Sequence, residues 1–251
     1  LGVTLFRRDN RSVSLTPEGR RFQQYAREAL AQWDSLRHSM QESSRVLQGE
    51  LSLYCSVTAS YSFLYDILSH FRNDYPGIEI KLHTGDPAQA VERVTTGRED
   101  IAIGARPDTL PRGVAFRSIL RSPLLFIAPA DQPDLAGALN GPARADAWRD
   151  VPMILSEEGL SRQRLDQWFR ALGVTPRIYA QVSGNEAIVS MVSLGFGVGV
   201  APRIVLENSP LAERTRPLEV EPALEDYEVG LFTLEKRLTD PVIQAFWSQL
   251  R

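Results

Sequence analysis

Apolar and polar positions alternate over the start of the chain, which predicts a short β-hairpin within residues 1–16. Its apolar positions are Leu5, Phe6, Val13 and Leu15. Asp9-Asn10 is predicted to form the turn, because both residues tolerate left-handed backbone conformations. The basic residues that cluster around this turn are Arg7, Arg8 and Arg11.

A single long helix is predicted from Thr16 to about residue 43. Thr16 suits the N-cap, Pro17 the first helical position, and Glu18 the positive end of the helix. The apolar residues then recur in steps of four and three, the spacing of a heptad seam, at Phe22, Ala26, Ala29, Trp33, Leu36 and Met40. Because one narrow stripe needs a partner to bury it, we expect this helix to pack against a second copy or against the body of its own chain.

From Gly49 the pattern changes to strands that alternate with helices. Strands are predicted at 51–57, 78–83, 100–104, 114–120 and 123–128, and in a second series at 152–156, 177–182, 197–201, 215–220 and 227–234. Helices are predicted at 60–73, 87–97, 161–172, 185–194, 203–207 and 240–250, with a loop and a short helix at 131–150. Asp86 is predicted to cap the helix at 87–97. Such alternation predicts mostly parallel sheets covered by helices. The two series predict an α/β fold with two Rossmann-like lobes and a cleft between them.

The predicted organisation therefore has four parts. A hairpin covers 1–16, and the long helix with its hinge covers 17–48. The first lobe is predicted to comprise 49–127 and 235–251, and the second lobe 128–234.

Composition narrows the class of protein further. The chain has 251 residues, of which 43% are hydrophobic and 24% charged, as is ordinary for a globular protein with a core of normal size. The formal net charge of -3 does not suggest that the whole chain binds nucleic acid. Cys55 is the one cysteine, which favours a reducing cytosol. The sequence shows no apolar run of the roughly 18 residues that span a bilayer and no metal-ligand spacing of histidines, so neither a membrane nor a metal or other cofactor is expected.

The N-terminal residues are specific enough to indicate a family. LysR-type transcriptional regulators end their winged helix-turn-helix with the pattern LG-x-x-LF-x-R…R-x-V-x-LT-x-x-G. This sequence resembles that pattern at Leu1, Gly2, Leu5, Phe6, Arg8, Arg11, Val13, Leu15, Thr16 and Gly19. The rest of the chain is similar to the family's effector domain, which has the fold of a type 2 periplasmic binding protein. The resemblance implies that 1–16 is the wing and that 17–48 is the linker helix through which the family dimerises.

The resemblance also implies the partners. The family's recognition helix precedes the wing, so we expect this chain to begin after it, within a longer regulator. Arg7, Arg8 and Arg11 would then contact phosphate or the minor groove and carry little sequence information. DNA is therefore expected as a partner of the complete regulator, with weak or absent binding by this stretch alone. Homodimers or homotetramers are expected as well. On composition alone, a solvated surface turn explains the arginine cluster equally well.

Several stretches resemble one branch of the family more closely. They are GELSLYCSVTASYS, EIKLHTGD, GNEAIVSMVSLGFGVGVAP, VLENSP and KRLTDPVIQAFW. Members of that branch activate branched-chain amino-acid synthesis in response to acetohydroxy acids. The likeness implies a cytoplasmic activator without enzymatic activity and with a small carboxylate as its co-inducer, acetolactate and acetohydroxybutyrate being the candidates.

The candidate effector site lies in the predicted cleft. Ligands of open α/β sheets bind beyond the carboxyl ends of the strands, where helix N-termini offer free N–H groups. The first candidates form the turn after the first strand of the body, where a role in helix capping is the alternative: Ser56, Val57, Thr58 and Ala59. The others are Thr84, Gly85, Gly104, Ala128, Pro129, Ser183, Gly184, Asn185, Glu186, Ala201 and Pro202. Because Glu186 would repel a carboxylate, it is predicted to accept a hydrogen bond from a ligand hydroxyl or to support the site from behind.

Three further residues stay open on sequence grounds. Arg162 is included in the candidate site and Arg164 is left undecided, because arginine binds carboxylates bidentately although most helix arginines are solvated. Cys55 is expected to be a buried, inert thiol, since a redox sensor needs a polarising neighbour that the sequence does not reveal.

Two other classes of protein remain as alternatives. A stand-alone periplasmic binding protein would share the two lobes, but it would need neither a wing nor a heptad helix and should be monomeric. An enzyme on the same scaffold is the second alternative, although the sequence contains no P-loop, no G-x-S-x-G elbow and no convincing nucleophile–base pair.

Overall fold

The computed structural model describes residues 2–8, 13–42 and 47–250. Within these ranges the chain forms a hairpin, a long helix and two lobes, each of which is built on a five-stranded sheet. The predicted hairpin turn at Asp9-Asn10 and the candidate Arg11 lie outside the described residues. None of the helices in the described ranges has the length and apolarity that a membrane crossing requires.

The hairpin and the long helix form as predicted. β1 (Phe6–Arg8) and β2 (Val13–Leu15) pair antiparallel, and α1 (Pro17–Glu42) follows directly. The Thr16 hydroxyl accepts a hydrogen bond from the Gly19 amide over 2.9 Å, so Thr16 is the N-cap that the sequence predicts.

One side of α1 lies against the first lobe and another side carries the heptad stripe. Arg27 donates a hydrogen bond to the carbonyl oxygen of Thr96 over 3.3 Å, and Glu28 pairs with Lys236 over 3.6 Å. Within the stripe, the exposed fraction is 62% for Trp33 and 73% for Met40. The body of the chain therefore does not cover these two large side chains.

The first lobe, the second lobe and a return to the first lobe follow in that order. The first segment contains β3 (Gly49–Cys55), α2 (Val57–Tyr61), α3 (Phe63–Asp74), β4 (Ile78–Thr84), α4 (Ala90–Thr95), β5 (Ile101–Ala105) and β6 (Val114–Ser122). The second segment contains β7 (Leu124–Pro129), α5 (Pro133–Leu139), β8 (Gly141–Pro142), α6 (Ala145–Trp148), β9 (Pro152–Ser156), α7 (Leu160–Leu172), β10 (Arg177–Val182), α8 (Asn185–Ser193), β11 (Val198–Pro202), α9 (Arg203–Glu207), β12 (Thr215–Pro217) and β13 (Val220–Glu221). The chain returns with β14 (Tyr227–Leu234) and α10 (Pro241–Trp247).

Both sheets mix parallel and antiparallel pairs. The first sheet has the order β4-β3-β5-β14-β6, with β3 parallel to β4 and β5, and β14 antiparallel to β5 and β6. The second has the order β10-β9-β11-β7-β12, with β9 parallel to β10 and β11, and β7 antiparallel to β11 and β12. The α/β architecture with two lobes is therefore confirmed.

The predicted lobe boundaries were wrong at two strands. β7 belongs to the second sheet, where Leu125 lies opposite Ala201, so the chain crosses between the lobes at Pro123 rather than after residue 127. β14 belongs to the first sheet, where Leu231 lies opposite Ile103, so the return precedes Tyr227 rather than residue 235. Both strands are buried apolar runs, and the partner that such a strand chooses is decided by tertiary packing.

Several predicted elements are also shorter or divided. The helix predicted at 60–73 is split at Ser62 into α2 and α3, and the loop region 131–150 contains two helices, α5 and α6. The predicted cap at Asp86 is present, since its Oδ1 accepts the Ala88 amide over 2.9 Å, but a 3-10 turn (Pro87–Gln89) precedes α4 there.

Candidate functional site

The cleft between the lobes brings together the ends of strands from both sheets. After β3, the Ser56 hydroxyl accepts the Ala59 amide over 3.2 Å, so Ser56 acts as the N-cap of α2. Thr58 is almost fully buried. Its amide and hydroxyl point across the cleft, because both donate to a side chain of the other lobe.

That side chain is Glu186, from the first turn of α8. Its Oε1 accepts hydrogen bonds from the Thr58 amide over 2.8 Å and from the Thr58 hydroxyl over 2.6 Å. Hydrogen bonds to a carboxylate are roughly twice as strong as those between neutral groups. The predicted carboxylate site at Thr58 is therefore occupied in this structure by a carboxylate of the protein itself.

A second carboxylate crosses the cleft in the opposite direction. Asp86, which follows β4 in the first lobe, accepts the Ser183 hydroxyl over 2.8 Å and the Gly184 amide over 3.1 Å through Oδ2. Gly184 has a φ of +84°, a conformation that glycine adopts at no steric cost, and this turn presents its amide to Asp86. Each lobe thus places a carboxylate on the polar turn of the other.

A buried tyrosine adds polar groups to the same region. Tyr227 opens β14 and lies near Ser161 and Asn185 of the second lobe, both of which are buried and act as its hydrogen-bonding neighbours. Burial raises the pKa of Tyr227 to about 12, and the negative charge of Asp86 acts in the same direction. The phenol is therefore a neutral hydrogen-bonding group at physiological pH.

The Cys55 thiol lies at the end of β3, directly beneath this site. Burial raises its pKa to about 12, and the charge of Glu186 adds to the effect. A thiol with so high a pKa is a poor nucleophile. The structure thus supports the expectation of an inert, buried thiol.

Within the described residues, two neighbouring cavities adjoin these cross-cleft contacts. The larger has a volume of about 260 Å³, and its polar lining includes Asp86, Ser156, Ser161, Gly184, Asn185 and Tyr227. The smaller has a volume of about 30 Å³ and is lined in part by Ser56, Thr58, Ala59, Gly104, Asn185 and Pro202. Asn185 and Tyr227 line both cavities, so these two side chains stand between them.

The structure places the predicted site residues in different surroundings. The cavities or the cross-cleft contacts include Ser56, Thr58, Ala59, Gly104, Ser183, Gly184, Asn185, Glu186 and Pro202. Val57 and Thr84 are exposed at the ends of their elements. Gly85 and Gly104 serve close packing, since an added Cβ would meet the Tyr54 hydroxyl at Gly85 and would lie 2.6 Å from Ala90 at Gly104.

Three predicted residues lie away from the cavities. Ala128 and Pro129 stand at the end of β7 opposite the cleft, because the cleft end of this strand is Leu124, which pairs with Pro202. Ala201 is buried in the core of the second lobe. Their inclusion followed from the misplaced lobe boundary and from the strand direction assumed there.

Arg162 is engaged within its own lobe rather than in the cleft. It donates to the Asp166 carboxylate, the Ser156 carbonyl and the Gln181 side chain, each over 3.0 Å. Arg164 instead reaches the loop of the first lobe, where it pairs with Asp108 over 3.5 Å and also with Glu225. Neither arginine lines these two cavities. Arg164 lines a separate pocket of about 240 Å³, where its guanidinium is already paired with carboxylates of the protein.

Sequence reasoning missed Asp86, Ser161 and Tyr227 as site residues. The sequence did contain a signal for Asp86. Its position after a strand predicted a cap, and a capping carboxylate has a second oxygen that is free to accept another hydrogen bond. Ser161 opens a helix after β9, which is the same kind of position as Thr58 after β3. Tyr227 had no signal, since its place depends on β14 joining the first sheet. Among the described residues, no His, Cys, Asp and Glu side chains gather into a group that could hold a metal ion.

The comparisons with known proteins agree with this geometry. A family profile described as "LysR substrate binding domain" matches residues 44–251. The chain is 44% identical over 255 residues to the HTH-type transcriptional activator IlvY of Salmonella typhimurium strain LT2, a match that covers 100% of this chain and 85% of the relative. It is also 44% identical over 253 residues to the HTH-type transcriptional regulator IlvY of Escherichia coli strain K12, covering 100% and 84%.

A solved structure shows the same architecture. The regulatory domain of CcmR from Synechocystis PCC6803, in complex with 2-PG, superposes with a TM-score of 0.69 at 27% identity, covering 81% of this chain and 96% of that chain.

A wing-like hairpin, a linker helix and two lobes that meet at a polar cleft define a transcriptional regulator with a small-molecule-binding domain. The relatives are named as transcriptional regulators rather than as enzymes. This chain belongs to the LysR family of transcriptional regulators, as its N-terminal pattern predicted, and the predicted likeness to the IlvY branch is confirmed.

Proposed function

We propose that this protein is a cytosolic transcriptional activator that binds a small hydroxylated carboxylate between its lobes. The candidates are the acetohydroxy acids acetolactate and acetohydroxybutyrate. The observation that supports this most is the cavity of about 260 Å³, whose walls come from both lobes and carry hydroxyl and amide groups. A molecule bound there contacts both lobes at once.

The size and lining of the cavity favour a small polar metabolite. Ligand pockets usually measure about 300–1,000 Å³, so a cavity near the lower end suits a small molecule. Ser161, Asn185 and the neutral Tyr227 offer hydrogen bonds to hydroxyl and keto oxygens. The Thr58 amide and hydroxyl, across the smaller cavity, are donors suited to a carboxylate.

The signal would follow from the position of the ligand. A ligand that binds one arrangement of the lobes more tightly shifts the population towards that arrangement. Because α1 is attached to the first lobe through Arg27 and Glu28, a change between the lobes would alter how the linker helices of different subunits are placed. The spacing of the DNA-binding domains would change with it.

The same proposal includes DNA and a second copy of the chain as partners. The exposed stripe at Trp33 and Met40 favours a homodimer through α1, with a homotetramer as the larger assembly. A stand-alone binding protein has no use for such a stripe. The hairpin arginines, Arg7 and Arg8 among them, would contact DNA only in the complete regulator.

Calorimetric titration tests the effector class. We expect acetolactate or acetohydroxybutyrate to bind, and Tyr227→Phe to weaken that binding about fivefold, since a hydrogen bond contributes about 1 kcal/mol. Tyr179→Phe removes the same atom from an exposed ring of the second lobe and serves as the matched control. Binding of a different metabolite class, with none of any small carboxylate, would overturn the assignment of the effector.

A further inference from the structure

Two hydrogen bonds hold Glu186 of the second lobe on Thr58 of the first. One Glu186 oxygen receives both the Thr58 amide and the Thr58 hydroxyl, over 2.8 and 2.6 Å. Because Thr58 is 2% exposed, water does not compete freely for these donors. The arrangement is the one that a bound carboxylate would have.

The space around Thr58 is too small for a ligand while Glu186 stays in place. The adjoining cavity of about 30 Å³ has room for only one or two water molecules, since one water needs about 10–15 Å³. A carboxylate brought to Thr58 would also lie against the negative charge of Glu186, and like charges at such short distances repel strongly. The two carboxylates therefore exclude each other.

We propose that Glu186 is a tethered carboxylate that occupies the effector's place on Thr58, so that the effector binds by displacing it. This inference rests on the proposed function, since it assumes that the effector carries a carboxylate. Glu186 then sets the concentration at which the regulator responds and holds the lobes together until the effector arrives.

Asp86 has the opposite role, because its contact across the cleft does not involve Thr58 and can remain. Its two oxygens are both committed, one to the Ala88 amide of its own lobe and the other to Ser183 and Gly184. Asp86 is also the shorter side chain and caps the 3-10 turn that follows it in its own lobe. A ligand at Thr58 can thus replace the Glu186 contact while the lobes stay joined at Asp86.

The closeness of Glu186 to the floor of the site supports the same view. The negative charge of Glu186 contributes to the raised pKa of the Cys55 thiol, at the end of the strand that precedes Thr58. The Glu186 carboxylate therefore lies close enough to Thr58 to act electrostatically on the neighbouring Cys55 thiol when no effector is bound.

The test measures the binding of racemic acetolactate to wild type, Glu186→Gln, Glu186→Ala and Glu157→Gln by calorimetry. Glu157→Gln is the matched control, because it removes the same charge from an exposed position at the same edge of the second lobe. We expect affinity to rise at least tenfold in both Glu186 variants and to stay within twofold in the control. Lactamide, which has no carboxylate, should gain no affinity in any variant. Far-ultraviolet circular dichroism checks that each variant is folded.

Hydrogen exchange without ligand gives an independent readout. In Glu186→Ala the Thr58 amide loses its acceptor, so its exchange should accelerate at least tenfold, whereas the Ala59 amide, bonded to Ser56 within the first lobe, should change little. In wild type, saturation with acetolactate should keep the Thr58 amide protected, because one carboxylate replaces another.

Each outcome decides one question. If acetolactate binds wild type but binds both Glu186 variants equally or more weakly, Glu186 is not a competitor and the inference is overturned, while the proposed function stands. A gain of the same size in Glu157→Gln would also overturn it, since general electrostatic repulsion would then explain the result. If no small carboxylate binds even the Glu186 variants, the proposed effector class fails, and the inference fails with it.

Discussion

Asp86→Ala should destabilise the protein by removing two kinds of hydrogen bond at once. Within the first lobe the carboxylate caps the turn before α4 through the Ala88 amide at 2.9 Å, and loss of such a cap costs about 1 kcal/mol. Across the cleft it accepts Ser183 and Gly184 at 2.8 and 3.1 Å. Because Ser183 is exposed, solvent weakens these bonds, and together they contribute only about 1 kcal/mol.

The total loss is therefore about 2 kcal/mol, which for a protein of this size lowers the melting temperature by roughly 4–8 °C. Ser183→Ala removes the cross-cleft hydroxyl alone and should cost about 0.5 kcal/mol. Urea denaturation of the wild type, the two single variants and the double variant measures all four free energies of unfolding. Since the side chains are in contact, the double variant should lose less than the two single losses combined.

Two results would refute this reasoning. If Asp86→Ala changes the free energy of unfolding by less than about 0.5 kcal/mol, the carboxylate stabilises neither the cap nor the lobe contact. If the losses of Asp86→Ala and Ser183→Ala are additive, the contact across the cleft does not form in solution.

Three further predictions concern packing, the thiol and the linker helix. Gly104→Ala should destabilise the first lobe by about 1–3 kcal/mol, as its Cβ would lie 2.6 Å from Ala90, and wild-type stability on urea denaturation would contradict this close packing. Cys55, with its pKa raised to about 12, should stay protonated and unreactive towards Ellman's reagent from pH 7 to pH 9 and react only after denaturation; rapid labelling of the folded protein would contradict its burial. Trp33→Glu should weaken self-association at least tenfold in sedimentation equilibrium, with Gln23→Glu on the same helix as the matched control, and equal dissociation constants would exclude the stripe from the interface.

Periodicity predicted the elements of this fold but not the partners of every strand. The heptad spacing predicted α1 and Thr16 predicted where it begins, because both signals are local in the sequence. β7 and β14 were identified as strands and assigned to the wrong lobes. A buried strand has the same apolar composition in either sheet, and its choice depends on the packing of residues far away in sequence.

The candidate site divides in the same way. The turn at Thr58 followed from a general rule about the ends of parallel strands, and it lies at the cleft. Arg162 was placed there for its charge, although Asp166 four residues later indicated a pair along the helix surface, which is what the structure contains. The contact between Glu186 and Thr58 could not be predicted, because it depends on how the two lobes are placed, and no local sequence pattern contains that information.

The strength of the contact between Glu186 and Thr58 sets the effector concentration at which the regulator responds. Each 1.4 kcal/mol held by the contact lowers the apparent affinity of the effector about tenfold. Two charge-assisted hydrogen bonds at a partly exposed glutamate contribute about 2 kcal/mol after screening, which corresponds to roughly thirtyfold. An effector that would bind at about micromolar concentration to an open site would then respond at tens of micromolar, while a much stronger contact would leave the cleft closed at ordinary metabolite levels. A contact of this moderate strength therefore raises the response threshold without abolishing the response, and Glu186→Gln should lower that threshold.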